Sequence, residues 1–456
     1  MNISFDIYFW LYYGIQITFL LIYIVSVVRL KYSLVSVSSF SLLFAMIITI
    51  PGYFIAHGVV NEVIYNKFYR GFDFELYLLY LIFLPVIVMS LLLGQVMASK
   101  IYIKFEARKN FLSKVKVVFF VLVIYSIAYL YWLPIIPLND LVLSSTDKIV
   151  NSLARNLITH GLGSIEDLPF LFRYWRNVTN YFLPILFYYY IIYNKNEKHG
   201  SMFILIFFIF VLYMQIFTLE KAPALVFLIG ITLTKYYSDM YYKLFYNQKK
   251  SIPFFKILSI LFLIIILFIF FYKITMNVDG NLLKDIFLRI ADQSSSNYIQ
   301  IEYVREVGFL GFSGIHMPIL SSLFDIKIQD PSKYAIMQLY PAFFDGEIAG
   351  SAGGMSLTNL YYIIGWYAIP TLFLFVTIFA FIDKLLVNSI FNKYNVKTFH
   401  FNISFYIIFI LVFSRSVGSN IWMVFSIPTV LSANLIVILC FYFLFIKIPY
   451  KIYIKK

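Results

Sequence analysis

The sequence predicts an all-α polytopic membrane protein of about eleven transmembrane helices. Of its 456 residues, 62% are hydrophobic and only 13% charged, a balance that a water-facing surface does not sustain. Apolar runs near the length needed to cross a bilayer recur along the chain. Basic residues fall into two alternating sets of connections, as sided insertion requires.

In order, the expected spans cover 6–28, 33–60, 75–98, 117–137, 178–193, 202–219, 222–238, 257–274, 356–382, 401–414 and 421–446. The fifth and tenth are the shortest. The first is long enough to be retained as a span, because a cleaved signal has a shorter apolar core, a basic start and a small-residue cleavage site. The denser basic set holds Arg29 and Lys31, then Lys100 to Lys116, Lys195 and Lys198, Lys235 to Lys256, Lys384 to Lys397, and Lys447 to Lys456. Placing that set in the cytoplasm puts the N-terminus outside and the C-terminus inside. The chain is then one integral membrane domain, 1–456, with two long extracytoplasmic connections at 138–177 and 275–355.

The formal charge of +14 is explained by orientation and by anionic lipid, and no nucleic-acid motif accompanies it. A single cysteine, Cys440, lies in an apolar run and excludes a disulfide framework or a cysteine metal cluster within the chain. No Gly-Lys phosphate loop, HExxH helix or GxSxG elbow occurs. Asp-x-Asp is also absent, so the expectation is a chemistry without metal or other cofactor. No internal repeat marks the inverted halves common in transporters.

The sharpest candidates are cations on the outside. Arg173 and Arg176 in "FLFRYWRNVTNYFLP" share one helix face and either grip one anion or anchor the interface beside Trp175. Glu220 and Lys221 in "QIFTLEKAPALVFLIG" stand between two apolar runs, where an ionisable pair either neutralises itself or contacts a phosphate. Arg415 in "VFSRSVGSNIW" has a similar setting. Arg289 lies in "KDIFLRIADQSSSNYI", whose apolar residues recur at helical spacing and predict an amphipathic helix on the bilayer. The same loop holds Asp285, Asp292, Glu302, Arg305, Glu306, His316, Asp325, Lys333, Asp345 and Glu347. Any of the carboxylates, or His316, has the chemistry of a general base. A lone histidine is as well explained as structural.

These segments resemble the Wzy-type oligosaccharide repeat-unit polymerases, including the enterobacterial common antigen branch. "FTLEKAPALVFLIG", "YKITMNVDG" with "DIFLRIADQ", "GFSGIHMPILSSLF", "MSLTNLYYIIGWYAIP" and "SRSVGSNIW" follow that family's order from about Arg173 to Asn420. The departure is Lys221, where the family usually has Arg; Lys keeps the charge and loses the bidentate fork. The resemblance implies a GT-C-like membrane glycosyltransferase of the bacterial inner membrane. It would transfer a growing glycan from undecaprenyl diphosphate onto the non-reducing end of an incoming lipid-linked repeat unit, in O-antigen or capsule synthesis. Arg173, Arg176, Lys221, Arg289 and Arg415 would bind the lipid diphosphate, with Arg289, Arg415, His316 and Glu220 as catalytic candidates. Membrane lipid and a chain-length regulator protein would be further partners. The alternatives are an O-antigen ligase, for which a loop histidine such as His316 speaks, and a flippase of lipid-linked oligosaccharide.

Overall fold

The computed structural model describes residues 6–30, 35–59, 71–108, 111–133, 175–193, 201–218, 221–246, 296–314, 354–418 and 452–454, with isolated positions at 136, 138–139, 329, 331, 334–335, 442–443 and 445–447. Helices α1 (Ile7–Arg29), α2 (Val37–Thr49), α3 (Gly52–Ala56), α4 (Phe74–Met97), α5 (Phe111–Trp132), α6 (Trp175–Tyr193), α7 (Ser201–Ile216) and α8 (Lys221–Tyr246) come first. A helix over 296–307, α9, is followed by α10 (Ser356–Ile364), α11 (Ala368–Ile390) and α12 (Phe399–Gly418). Short 3-10 turns at Gly311–Gly314, Gly365–Tyr367 and Lys393–Thr398 and two three-residue strands, β1 (Ile101–Ile103) and β2 (Ile452–Ile454), complete the described elements.

Among the described residues, three helical stretches are long and apolar enough to cross a membrane: Ile7–Arg29, Phe74–Met97 and Ser356–Ile390. Shorter apolar helices cover Val37–Thr49, Val117–Trp132 and Met202–Ile216. The architecture therefore fits an all-α membrane protein. The expected spans 257–274 and 421–446 lie wholly or almost wholly outside the described residues.

Where they are described, several elements depart from the expected bounds. The 33–60 stretch is not one helix, because Pro51 cannot donate to the ladder and α2 stops at Thr49. Its final carbonyls are taken up by α1, with Tyr12 Oη donating to Thr49 O at 2.5 Å and Tyr13 Oη to Ile50 O at 2.7 Å. The 356–382 stretch breaks at Gly365, whose φ of 61° ends α10, and resumes as α11 as far as Ile390. Conversely, the two shortest expected spans are longer than periodicity indicated: α6 has 19 residues and α12 has 20.

Two apolar cores organise the bundle. One joins α1, α2, α4, α9, α10 and α11; the other joins α5, α6, α7, α8 and α12. In the first, α4 and α11 pack directly at Gly94. A Cβ there would meet the Thr377 carbonyl, and would stand 2.8 Å from both Ala380 Cβ and the Phe381 nitrogen. Pro85 leaves the Leu81 carbonyl without its intrahelical donor, and Gln16 Nε2 of α1 supplies one at 3.2 Å, also reaching Tyr80 O at 3.3 Å.

The cores meet at Asp383. Its Oδ2 accepts from Ser38 N at 2.9 Å and Ser38 Oγ at 2.5 Å, and its Oδ1 accepts from Tyr406 Oη at 2.6 Å. A carboxylate on α11 thus caps the N-terminus of α2 from outside that helix, while Tyr406 ties α12 to the same point.

Near one end of the bundle, β1 and β2 pair antiparallel, with Tyr102 opposite Tyr453. Asn388 Nδ2 holds the carbonyls of Ala98 and Ile101 at 2.8 and 3.1 Å, and Asn395 Nδ2 holds that of Ile103 at 2.7 Å. The connections after α4 and α11 and the C-terminal tail are therefore gathered on one face.

Candidate functional site

At the opposite end from the strands, Asp73 caps α4, its Oδ1 accepting from Leu76 N at 3.0 Å. Glu75 follows in the first turn. Arg305, near the end of α9, spans both. Its Nη1 lies 2.7 Å from Asp73 Oδ2 and its Nη2 2.9 Å from Asp73 Oδ1, while Nε and Nη2 reach Glu75 Oε2 at 3.1 and 2.7 Å. Tyr361 Oη of α10 donates to the other Glu75 oxygen. Hydrogen bonding to Asp73, with Glu75 adding to it, raises the Arg305 pKa above its ordinary value.

Beneath this clamp, Asn297 is fully buried. Its Nδ2 donates to Tyr80 Oη at 2.8 Å, and its Oδ1 accepts from Thr358 Oγ1 at 2.9 Å. Gln300, also buried, donates to Ser296 Oγ at 3.0 Å. A glycine at 354 suits this packing, since a Cβ would stand 3.1 Å from Asn297 Oδ1 and 3.2 Å from Asn359 Oδ1. Helix α9 ends at Gly308, whose φ is 85° and whose N–H returns to Val304 O at 2.8 Å.

One cation facing two carboxylates leaves this cluster without spare positive charge. Arg305 is engaged, so the group orders α9 against α4 and α10 and offers carboxylate and carboxamide oxygens, which accept from hydroxyls. An anion at this end would have to be met by other residues.

Of the residues singled out in the sequence, Arg173, Glu220, Arg289 and His316 lie outside the described residues. Arg176, Lys221 and Arg415 are placed as backbone positions only. Arg176 is in the first turn of α6, Lys221 opens α8, and Arg415 is in the last turn of α12. These three helix termini share one end of the bundle. Ser356 Oγ, at the start of α10, donates to Val417 O of α12 at 2.6 Å, two residues beyond Arg415. The Tyr189 and Phe401 rings, 5.9 Å apart, run α6 antiparallel to α12, so the α6 N-terminus accompanies the α12 C-terminus. Gln215 Nε2 of α7 donates to Thr179 O of α6 at 3.2 Å, which brings the α7–α8 connection to the same end. Through Ser356 and Thr358, that end also carries the Asn297 and Arg305 cluster.

Asp73, Glu75, Asn297 and Asp383 were not marked by the sequence reading, and Arg305 appeared there without a partner. Asp73 before "FELYLLYL" has the local form of a helix cap, a usable signal. Its pairing with Arg305, 232 positions on, has no local signature. Among the described residues, no three His, Cys, Asp or Glu side chains are grouped to hold a metal ion. No protein-family model, curated protein or solved structure matches the chain.

Proposed function

We propose that the chain is an eleven-span, GT-C-like glycosyltransferase of the bacterial inner membrane that polymerises undecaprenyl-diphosphate-linked oligosaccharide repeat units. Its N-terminus is extracytoplasmic, its C-terminus cytoplasmic, and its active site is at the extracytoplasmic end. The observation that carries the reading is the convergence of the Arg176, Lys221 and Arg415 positions at one bundle end. Three cationic residues at the ends of apolar helices are costly where they meet hydrocarbon unless they serve an anion or a cavity. The ordered resemblance of 173–420 to repeat-unit polymerases supplies the substrate class.

In this reaction the bond between the anomeric carbon and the diphosphate oxygen breaks, and the diphosphate departs with the electron pair. The acceptor hydroxyl oxygen forms the new glycosidic bond, and its proton passes to a general base, for which the carboxylates of the 275–355 loop and His316 are the candidates. Arg173, Arg176, Lys221, Arg289 and Arg415 balance the charge growing on the leaving group. The Arg305 clamp holds α9, part of the 275–355 loop, against α4 and α10 at the bundle end that carries the Arg176, Lys221 and Arg415 positions.

Deletion of the gene, with surface polysaccharide examined on gels, tests the reading. The expected result is single repeat units on the surface. Polymer accumulating on the carrier lipid indicates a ligase, neither product indicates a flippase, and full-length chains overturn the proposal.

A further inference from the structure

We propose that the β1–β2 sheet, with the cations around it, is a membrane-surface element that binds anionic phospholipid headgroups. The register places Ile101 and Ile103 of β1 opposite Ile454 and Ile452 of β2, so alternation puts all four isoleucines on one face and Tyr102 and Tyr453 on the other. On the isoleucine face, Ile452 is 69% exposed and Ile454 71% exposed. An isolated two-stranded ribbon with an open β-branched face is marginal in water. This one begins three residues after α4, whose last turns expose Leu93, Val96 and Met97. A helix flank with exposed apolar residues of the kind that faces lipid thus immediately precedes the sheet in the chain.

Charge completes the fit. Lys100, Lys104, Arg108, Lys393, Lys397 and Lys447 are all exposed around the sheet. Glu106 is the acid facing them from the same segment, and it is already bridged by Lys447 at 3.1 Å and Lys104 at 3.7 Å. That bond to Lys447 lowers the Glu106 pKa, so the carboxylate stays ionised and offsets one cation only. The tyrosine face is closed by stacking: the Tyr102 ring lies 5.4 Å from Tyr453 and 6.3 Å from Tyr394, and Lys393 Nζ stands 5.3 Å from the Tyr394 ring centre. The tyrosine face is thus fastened to the protein and Ile103 packs against the core, leaving Ile452, Ile454 and a cationic rim for an apolar boundary bearing negative headgroups. The inference needs the membrane reading but not the glycan chemistry, so a chain that fails to polymerise glycan leaves it standing.

Nitroxide labelling at Ile454→Cys, in a Cys440→Ser background, reads the depth of β2 in nanodiscs of phosphatidylcholine with or without phosphatidylglycerol. With 30% phosphatidylglycerol as the probe condition, roughly the anionic content that makes a leaflet attract polybasic segments, the label should gain oxygen contact and lose contact with a water-soluble nickel relaxant. Combining it with Lys100→Gln, Lys104→Gln and Lys447→Gln should remove the dependence on phosphatidylglycerol while the size-exclusion profile is kept. Equal, water-like nickel contact in both lipids overturns the proposal, as does a lipid dependence that survives the three substitutions. If the triple variant loses its monodisperse profile, Lys393→Gln with Lys397→Gln, which leaves Glu106 paired, decides by the same criterion.

Discussion

Arg305 reaches Asp73 across 232 residues of sequence, with Nη1 and Nη2 set on the two carboxylate oxygens at 2.7 and 2.9 Å. The pair fastens a helix of the long 275–355 segment to the cap of α4. Asp73 is nearly buried, whereas Arg305 keeps 46% of its side-chain surface exposed. Losing the guanidinium therefore matters chiefly through what it leaves unpaired at Asp73.

Arg305→Ala is expected to cost about 1–2 kcal/mol, the range for stranding a buried carboxylate's hydrogen bonds when part of the pair is solvent-screened. Thermal unfolding of the detergent-purified protein, followed by size exclusion, checks it. Arg305→Lys should recover part of the loss, since it restores charge without the fork. A melting temperature equal to that of the unsubstituted protein for Arg305→Ala contradicts the clamp.

The α4–α11 approach at Gly94 predicts a contrast between two glycines. Gly94→Ala brings a methyl against the Thr377 carbonyl and the Phe381 nitrogen and should destabilise by about 1–3 kcal/mol. Gly14→Ala, where nothing lies within 4 Å, should be neutral or slightly stabilising. Parallel melts of the two variants decide; equal effects would deny the close packing.

Gln16 and Pro85 form a testable couple. Gln16→Leu removes the donor to the Leu81 carbonyl and should cost about 1–2 kcal/mol. When Gln16→Leu is combined with Pro85→Ala, the second substitution restores a backbone N–H that can serve the Leu81 carbonyl, and the loss should shrink. A double-mutant cycle with no coupling contradicts this account of how α1 is held to α4.

Asp383→Ala should be more damaging than Asp383→Asn. The alanine leaves Ser38 N–H and Tyr406 Oη without their acceptor inside the bundle, at about 2–3 kcal/mol, while the amide keeps an acceptor oxygen. Yield of monodisperse protein and melting temperature both report it. Equal losses for the two variants would show that the charge, not the acceptor, is what α2 needs from Asp383.

Helix identity was legible because apolar length and charge sidedness are local properties, and α1 and α4 follow the expected bounds within about two residues, the usual scatter at helix ends. The breaks at Pro51 and Gly365 were less so. Each residue was visible, but in apolar surroundings a proline or glycine can also be absorbed by a helix, as Pro85 is inside α4 through Gln16. Asp383 escaped because the expected span stopped one residue short of it, and its partners come from α2 and α12. At the candidate site, Arg176, Lys221 and Arg415 were legible as costly cations near apolar runs. The Arg305 clamp was not, because which of many loop charges finds which cap is settled by tertiary packing.

The most direct test of the central claim is complementation of the gene deletion with Arg415→Ala and, separately, Arg176→Ala. Chain length of the surface polysaccharide and the amount of membrane protein are measured together. The account predicts single repeat units, or strongly shortened chains, with normal protein levels for both variants. Full-length polymer from both variants at normal protein levels would contradict it.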